Sequence, residues 1–323
     1  MQPRILARWL LLAGLLLAAF LGTVTTLNLT LYSASGFVSS YLHALARHDV
    51  EGALTLPGVQ VAGGGSDELM APGALATLDG IHLVSDADDG AGEHTVSYGY
   101  TVGGVPGRSS FTVEHTGARL GLFSGWRFAT SPESVLSITP LHGDGFDANG
   151  VALVSTAGPG LAHRYRVLTP ALVELSHTST YFTASKTRTL VDTPGVVVNA
   201  VVDIRANTVF VREVQLQLDK FLAACVTQKV LLPTGCPMGK QITDRIQDAP
   251  TWSITRYPAV TIVPGDRDGT WQVPETAALA HLVVTVRSIF DGSLSTFDQD
   301  VPLTVSYLIT FAADGSPVIA ARY

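Results

Sequence analysis

The sequence predicts an α+β protein carried on an N-terminal transmembrane helix, with two helix-on-antiparallel-sheet domains flanking a small all-β segment. Three observations carry this. An unbroken apolar run follows two arginines at the start of the chain. Two amphipathic helical stripes occur later, one directly after that run and one near residue 207. Each stripe leads into a series of short strand-like runs separated by Gly, Pro or Asp. The boundaries read 1–32 for the cytoplasmic start and anchor, 33–130 for the first α+β domain, 131–206 for the β-rich spacer and 207–323 for the second α+β domain.

The anchor comes first. Trp9 to Leu21 is apolar throughout, and Gly22 to Leu31 adds only small, hydroxyl and apolar side chains and Asn28. From Arg8, roughly 20 helical residues at about 1.5 Å each reach about 30 Å, the depth of a bilayer's hydrocarbon core. Arg4 and Arg8 precede the run and the first acidic residue is Asp49, so the start should stay cytoplasmic and the rest should lie outside the cell membrane. A cleaved secretory signal is the competing reading. It fits less well, because Ala18-Ala19-Phe20 is followed by more apolar residues and Ser33-Ala34-Ser35 lies late. Asn28-Leu29-Thr30 matches an acceptor sequon at the membrane edge and carries little weight.

Composition narrows the partners. Net charge is −7, without a Lys/Arg run, which excludes a nucleic-acid interface. An acidic ectodomain is repelled by anionic lipid, so the bilayer is expected to be a partner only through the N-terminal helix. Cys225 and Cys236 are the chain's two cysteines, and on this topology they face an oxidising side. A disulfide is the natural reading. The alternatives are a buried helical Cys225 with an unrelated Cys236, or a metal site, which lacks His or further Cys at ligand spacing.

In the first domain Ser35 is placed to cap a helix opening at Gly36, with Phe37, Val38, Tyr41, Leu42 and Leu45 on one stripe. The pattern fades near Asp49. Gly63-Gly64-Gly65 suits a turn and Ser66 a cap for a short helix. Strands are expected at 81–84, 95–102, 109–115 and 125–128; Val96, Tyr98, Tyr100 and Val102 share one face of the second, and Phe111 and Val113 share one face of the third. The start Phe37-Val-Ser-Ser-Tyr-Leu-His-Ala-Leu-Ala-Arg-His-Asp-Val-Glu-Gly-Ala-Leu, with the later Gly125-Trp-Arg-Phe-Ala-Thr-Ser-Pro-Glu-Ser-Val, resembles the nuclear transport factor 2-like (cystatin-like) domains. It is most similar to the non-catalytic domain that precedes the catalytic part of some penicillin-binding proteins. The resemblance covers about a third of the chain and implies a cone of helix on curved sheet. The transpeptidase motifs are missing: Ser185-Lys-Thr is followed by Arg188, not Gly.

The spacer opens at Pro132, with strands expected at 135–138, 151–154, 164–168, 172–175 and 187–191. Trp126-Arg-Phe-Ala-Thr-Ser-Pro, Asn149-Gly and Ser179-Thr-Tyr-Phe-Thr-Ala-Ser are similar to a group of uncharacterised actinobacterial single-pass surface proteins, a likeness that implies no activity. In the last domain Asn207 should cap a helix whose stripe is Val211, Val214, Leu218, Phe221, Leu222 and Cys225. Strands are expected at 252–257, 259–263, 282–286, 301–311 and 318–323, with Asp314-Gly in the last hairpin turn. The order repeats that of the first domain and suggests a second copy of the same fold.

Candidate chemistry is thin. Isomerases and dehydratases of the cone fold use a Tyr or Asp with a His in the pocket between helix and sheet. Tyr41, His43, Tyr98 and Tyr100 are the corresponding residues here, and as core-face aromatics they read first as packing. His43 and His48 are five apart and share no helix face, which argues against a metal pair. His94 and His115 could pair across strands. Asp86-Ala-Asp-Asp has the acidity of a calcium loop without its Gly and terminal Glu, so a solvated turn is expected. There is no phosphate-cradling loop and no nucleophile elbow, so no cofactor is implied. The expected role is a non-enzymatic envelope scaffold that meets another envelope protein or wall polymer. A pocket module for a small apolar or peptide ligand is the second reading, and an isomerase- or dehydratase-like enzyme is the third.

Overall fold

The computed structural model describes residues 3–60, 64–119 and 121–322. Gly63 of the expected glycine turn and the terminal Tyr323 of the expected last strand lie outside the described residues. The protein is α+β and divides into two compact units. The first comprises Met1–Pro140, Asp144–Ser176 and Ser185–Val202; the second comprises Leu141–Gly143, His177–Ala184 and Asp203–Tyr323.

In the first unit, α1 (Pro3–Leu29) contains a span from Trp9 to Leu29 that is long and apolar enough to cross a membrane, and none of it is buried in the protein. A turn at Thr30–Tyr32 leads into α2 (Ala34–Ala46). The cap of α2 is Ser33, not the expected Ser35: its extended backbone lets Oγ accept from Gly36 N at 3.0 Å. The helix starts early because the chain doubles back tightly. A Cβ on Gly36 would lie 2.1 Å from the Thr30 carbonyl oxygen, so only glycine fits there. Asp49 caps the short α3 (Val50–Leu54).

α2 lies on an antiparallel sheet of β1 (Leu78–Asp88), β2 (Glu93–Val102), β3 (Val105–Arg119) and β4 (Phe123–Phe128), paired in that order. Val38, Tyr41, Leu42 and Leu45 face Val96, Tyr98, Tyr100, Phe111 and Val113 in one core. Strand β1 runs on through Asp88, so Asp86 and Asp88 belong to a strand and the solvated turn begins only at Asp89. Pairing with β2 satisfies the backbone there, which overrides the turn propensity of the acidic run.

The middle of the chain supplies β5 (Glu133–Leu141), β6 (Gly145–Ala148), β7 (Val151–Val154), β8 (His163–Leu168), β9 (Ala171–Thr178), β10 (Phe182–Val191) and β11 (Val197–Asp203). Strand β5 lies between β11 and β8, while β6 lies between β9 and β7. Asn149 and Gly150 turn the β6–β7 hairpin with φ of 49° and 80°, the left-handed pair a two-residue turn needs. The Asn149 amide also donates to the carbonyls of Ala74 and Leu172 at 2.6 and 2.9 Å, joining this part to the first sheet's side of the unit.

In the second unit the start of β10 pairs with β12 (Arg205–Ala206), after which Asn207 caps α4 (Thr208–Cys225) by accepting from Val209 N and Phe210 N. The buried stripe of α4 is Phe210, Val214, Leu218, Leu222 and Cys225; Phe221 is partly exposed and Val211 only half-buried. The helix is therefore rotated from the expected face, and Phe210 replaces Phe221 inside because it meets Phe182, Trp271 and Phe311 edge-on or tilted.

Beneath α4 lie two long strands, β16 (Trp271–Arg287) and β17 (Leu294–Phe311). Strand β18 (Pro317–Ala321) pairs with β17, while β13 (Arg245–Ile246), β14 (Thr251–Arg256) and β15 (Val263–Pro264) each pair with β16. The strand expected at 259–263 shrinks to Val263–Pro264, because Pro258 and Pro264 remove two ladder donors. Conversely β16 begins 11 residues before the expected Leu282. Its Pro274 sits at a register shift between Val273 and Thr276, the position where a strand tolerates proline.

Candidate functional site

The tyrosines expected near a pocket sit in the first unit's core with their hydroxyls turned to internal partners. Tyr41 is fully buried on α2, donates to the Thr169 carbonyl at 2.8 Å, and meets Phe111 and Phe128 edge-on. Burial, and secondarily the charge of Glu133, pushes its phenol well above its ordinary value. Tyr98 donates to the Ser35 carbonyl at 2.9 Å, and burial raises its phenol too. Tyr100 lies 2.6 Å from Ser109 Oγ, which itself donates to the Asp192 carbonyl; burial lifts Tyr100 to about 12 despite that bond. A phenol is already protonated at neutral pH, and these shifts move all three further from ionising.

His43 is exposed and lies on the other side of α2 from Tyr41. The cavity near these residues, between Leu45, Met70, Leu78, Leu168 and Leu172, holds about 20 Å³. That is room for about one water. Among the described residues Tyr41, Tyr98 and Tyr100 are therefore not brought together with His43, which instead borders an open surface hollow of about 450 Å³ with Ser39, Ser40 and Arg47.

The remaining histidines separate as well. His48 places Nδ1 2.9 Å from the Pro72 carbonyl. His94 and His115 do not bond each other; both rings stand edge-on to Trp126, at 4.9 and 5.3 Å, and His94 Nδ1 lies 2.7 Å from Asp86 Oδ1. Among the described residues no group of three or more His, Cys, Asp and Glu is placed to hold a metal ion.

Cys225 and Cys236 form a disulfide with Cα atoms 5.8 Å apart. The loop it closes is tied further: Gln228 donates to the Thr234 carbonyl and accepts from Thr234 N, and Trp252 Nε1 donates to the Val230 carbonyl. Beside it, α4 and the β17–β18 edge leave a groove of about 270 Å³ lined by Val214, Gln217, Leu218, Phe221, Tyr307 and Ile319. Phe221 and Tyr307 also line a neighbouring hollow of about 410 Å³ with Met238, Ser306 and Arg322. Arg322 donates to Gln272 Oε1 at 2.6 Å and faces Asp266, so its charge is already answered. The lining of the 270 Å³ groove is mostly apolar with few polar groups, which suits binding rather than bond making. Sequence reasoning missed this groove, since it treated Phe221 as core.

Two further arrangements escaped it. On the sheet of the second unit, His281 Nδ1 lies 2.8 Å from Asp300 and Nε2 2.9 Å from Asp298. The hydrogen bond with Asp300, supported by Asp298, raises the imidazole above its ordinary value. The alternation in Asp298-Gln-Asp300 was the available signal: it puts two carboxylates on one strand face.

The second lies at the end of α1. Asn28 Nδ2 donates to the Leu122 carbonyl at 2.8 Å, and Asn28 Oδ1 accepts from Ser124 N at 2.9 Å. Tyr32 stacks on Phe123 with centroids 4.4 Å apart, and Trp126 Nε1 donates to the Tyr32 carbonyl. The sequon asparagine is thus a clamp on the β3–β4 hairpin.

Compared with family models, curated proteins and solved structures, the chain matches none of them.

Proposed function

We propose that the chain is a single-pass membrane protein whose two α+β units lie outside the cytoplasmic membrane and act as a non-enzymatic scaffold for another envelope protein or a wall polymer. The observation that carries this is the attachment of α1, through Asn28, and of the turn after it, through Tyr32 and Trp126, to the β3–β4 hairpin. A signal sequence is discarded after export and needs no such bonds; a retained anchor that must hold a body in place does. The arginines ahead of the span and the Cys225–Cys236 disulfide support an oxidising, extracytoplasmic side. The inward-turned hydroxyls of Tyr41, Tyr98 and Tyr100 favour a scaffold over an isomerase or dehydratase. The helix-on-sheet order in each unit is compatible with the nuclear transport factor 2-like cone, here as a structural module.

The test is recovery of the full-length protein from membranes in mild detergent. The expected result is a membrane-pelleting protein that retains residues 1–32 and co-purifies with an envelope partner. A mature protein released into the medium without α1 would overturn the reading. The groove beside Phe221 and Tyr307 favours a second reading, a binding module for a small apolar or peptide ligand. Native mass spectrometry of the same preparation tests it: a ligand retained by the wild type and lost from Phe221→Asp supports binding, and identical bare masses refute it.

A further inference from the structure

We propose that Leu122, in the turn between β3 and β4, is seated in the outer interfacial layer of the bilayer, so that the first unit rests on the membrane instead of hanging from a tether. This rests on the anchor reading above. The argument starts from depth. Taking Trp9 as the inner interfacial aromatic, the 19 steps to Asn28 rise about 28 Å, which puts Asn28 at the outer boundary of the hydrocarbon. The Leu122 carbonyl is 2.8 Å from the Asn28 amide, so the hairpin tip shares that level.

The chemistry of this level is that of a low-dielectric medium. From Thr23 to Thr30, each polar side chain has an internal partner. Thr23, Thr25, Thr26 and Thr30 donate to the carbonyls four residues back, at 2.8–2.9 Å. Asn28 receives both an acceptor and a donor from the hairpin backbone. In water such pairing is dispensable; next to lipid, unpaired amide and hydroxyl groups are costly. The hairpin thereby satisfies the one side-chain amide in the span and, in return, has part of its own turn backbone capped.

What Leu122 and the neighbouring leucines present outward is apolar. Leu122 is 43% exposed, and Leu29 and Leu31 beside the same clamp are 75% and 59% exposed. Tyr32, Phe123 and Trp126 stand just behind them, the residue types that collect at the headgroup level. The chain's acidity, which argues against tight contact of the ectodomain as a whole with anionic lipid, does not decide here. The contact is local and rests on Leu122, Leu29 and Leu31; the charged residue that closes the same turn, Arg119, is a cation and is not repelled by anionic lipid.

The experiment uses full-length protein in lipid vesicles, with the native disulfide intact and an environment-sensitive fluorophore on one introduced cysteine. Three positions are compared: Leu122→Cys at the tip, Leu15→Cys inside the span, and Leu161→Cys, another exposed leucine of the first unit. Lipids carrying nitroxides at shallow or deep positions, and a soluble quencher, report depth. Expected is deep quenching at Leu15, shallow-nitroxide quenching at Leu122 several-fold stronger than at Leu161, and a blue-shifted emission at Leu122. Deep quenching at Leu15 with an aqueous signature at Leu122 overturns this inference alone. No lipid quenching at Leu15 overturns the anchor reading and this inference with it.

Discussion

The Tyr41 hydroxyl and the Thr169 carbonyl, 128 residues apart in the chain, meet at 2.8 Å inside the first unit. Thr169 in turn joins its side chain to Ser134 Oγ at 2.9 Å, and both Tyr41 and Thr169 are fully buried. A helix that begins directly after α1 and its turn is thus bonded to the segment that follows β8. Tyr41→Phe keeps the ring against Phe111 and Phe128 but leaves a buried carbonyl short of its donor. The expected cost is about 1–3 kcal/mol of unfolding free energy with unchanged circular dichroism. Denaturant unfolding of the full-length protein measures it, and a variant as stable as wild type would show the bond to be replaceable.

Arg166 on β8 is nearly buried. Its guanidinium binds Asp67 and lies 3.7 Å from the buried Glu133 carboxylate. The hydrogen bond to Asp67 and the nearby carboxylates hold the guanidinium in its charged form. Arg166→Ala removes that positive charge while the Glu133 charge stays inside. A loss of about 3–5 kcal/mol is expected. Arg166→Lys should recover only part, because an ammonium cannot reproduce the fork. If Glu133→Gln in the Arg166→Ala background restores most of the loss, the cost is electrostatic and lies with the buried Glu133 carboxylate deprived of Arg166; no restoration would assign it to packing instead.

The regular elements were legible where periodicity and burial agree. Val96, Tyr98, Tyr100 and Val102 alternate in the sequence and all face the core. Asn207 is a cap by residue type and by geometry. Legibility failed where tertiary contacts decide. Nothing local distinguishes Phe210 from Phe221; the cluster of Phe182, Trp271 and Phe311 selects the first. Thr276–His281 carries no strand pattern of its own; β17, and β14 from Leu279 on, make it one by lying alongside. The groove and the Asn28 clamp were illegible for the same reason: each joins residues whose spacing in the chain is far longer than any helix or strand period.

The disulfide closes a short loop, with a sequence separation of 11. The chain-entropy relation then gives about 3 kcal/mol for the pair Cys225→Ala and Cys236→Ala. The bonds of Gln228 with Thr234 and of Trp252 with Val230 persist without it, so the loop should remain near its place while the unfolded chain gains freedom. Thermal unfolding with and without reductant checks this. A shift in the wild type under reductant matching that of the double variant is expected; no shift would mean the loop's own bonds suffice.

His281 gives the second unit a defined pH response. Its ring bridges Asp300 and Asp298, and the bond with Asp300 raises the imidazole above its ordinary value. The group binds its proton more tightly when folded, so unfolding releases it over the interval between the two values. The contribution is therefore fully present below about pH 6.5, the unfolded value, and is lost as pH rises through the raised folded value. Its ends are reported by nuclear magnetic resonance titration of the imidazole. The groups facing the ring across the β16–β17 pair are both carboxylates, which sets the sign. Asp300→Asn should lower the imidazole's titration more than Asp298→Asn, because the Asp300 bond is the larger cause. The gap in melting temperature between wild type and His281→Gln should be widest on the acidic side and shrink as pH rises. A gap that is constant across that range, or an imidazole titrating at its ordinary value, would mean the two carboxylates are too well solvated to hold the proton.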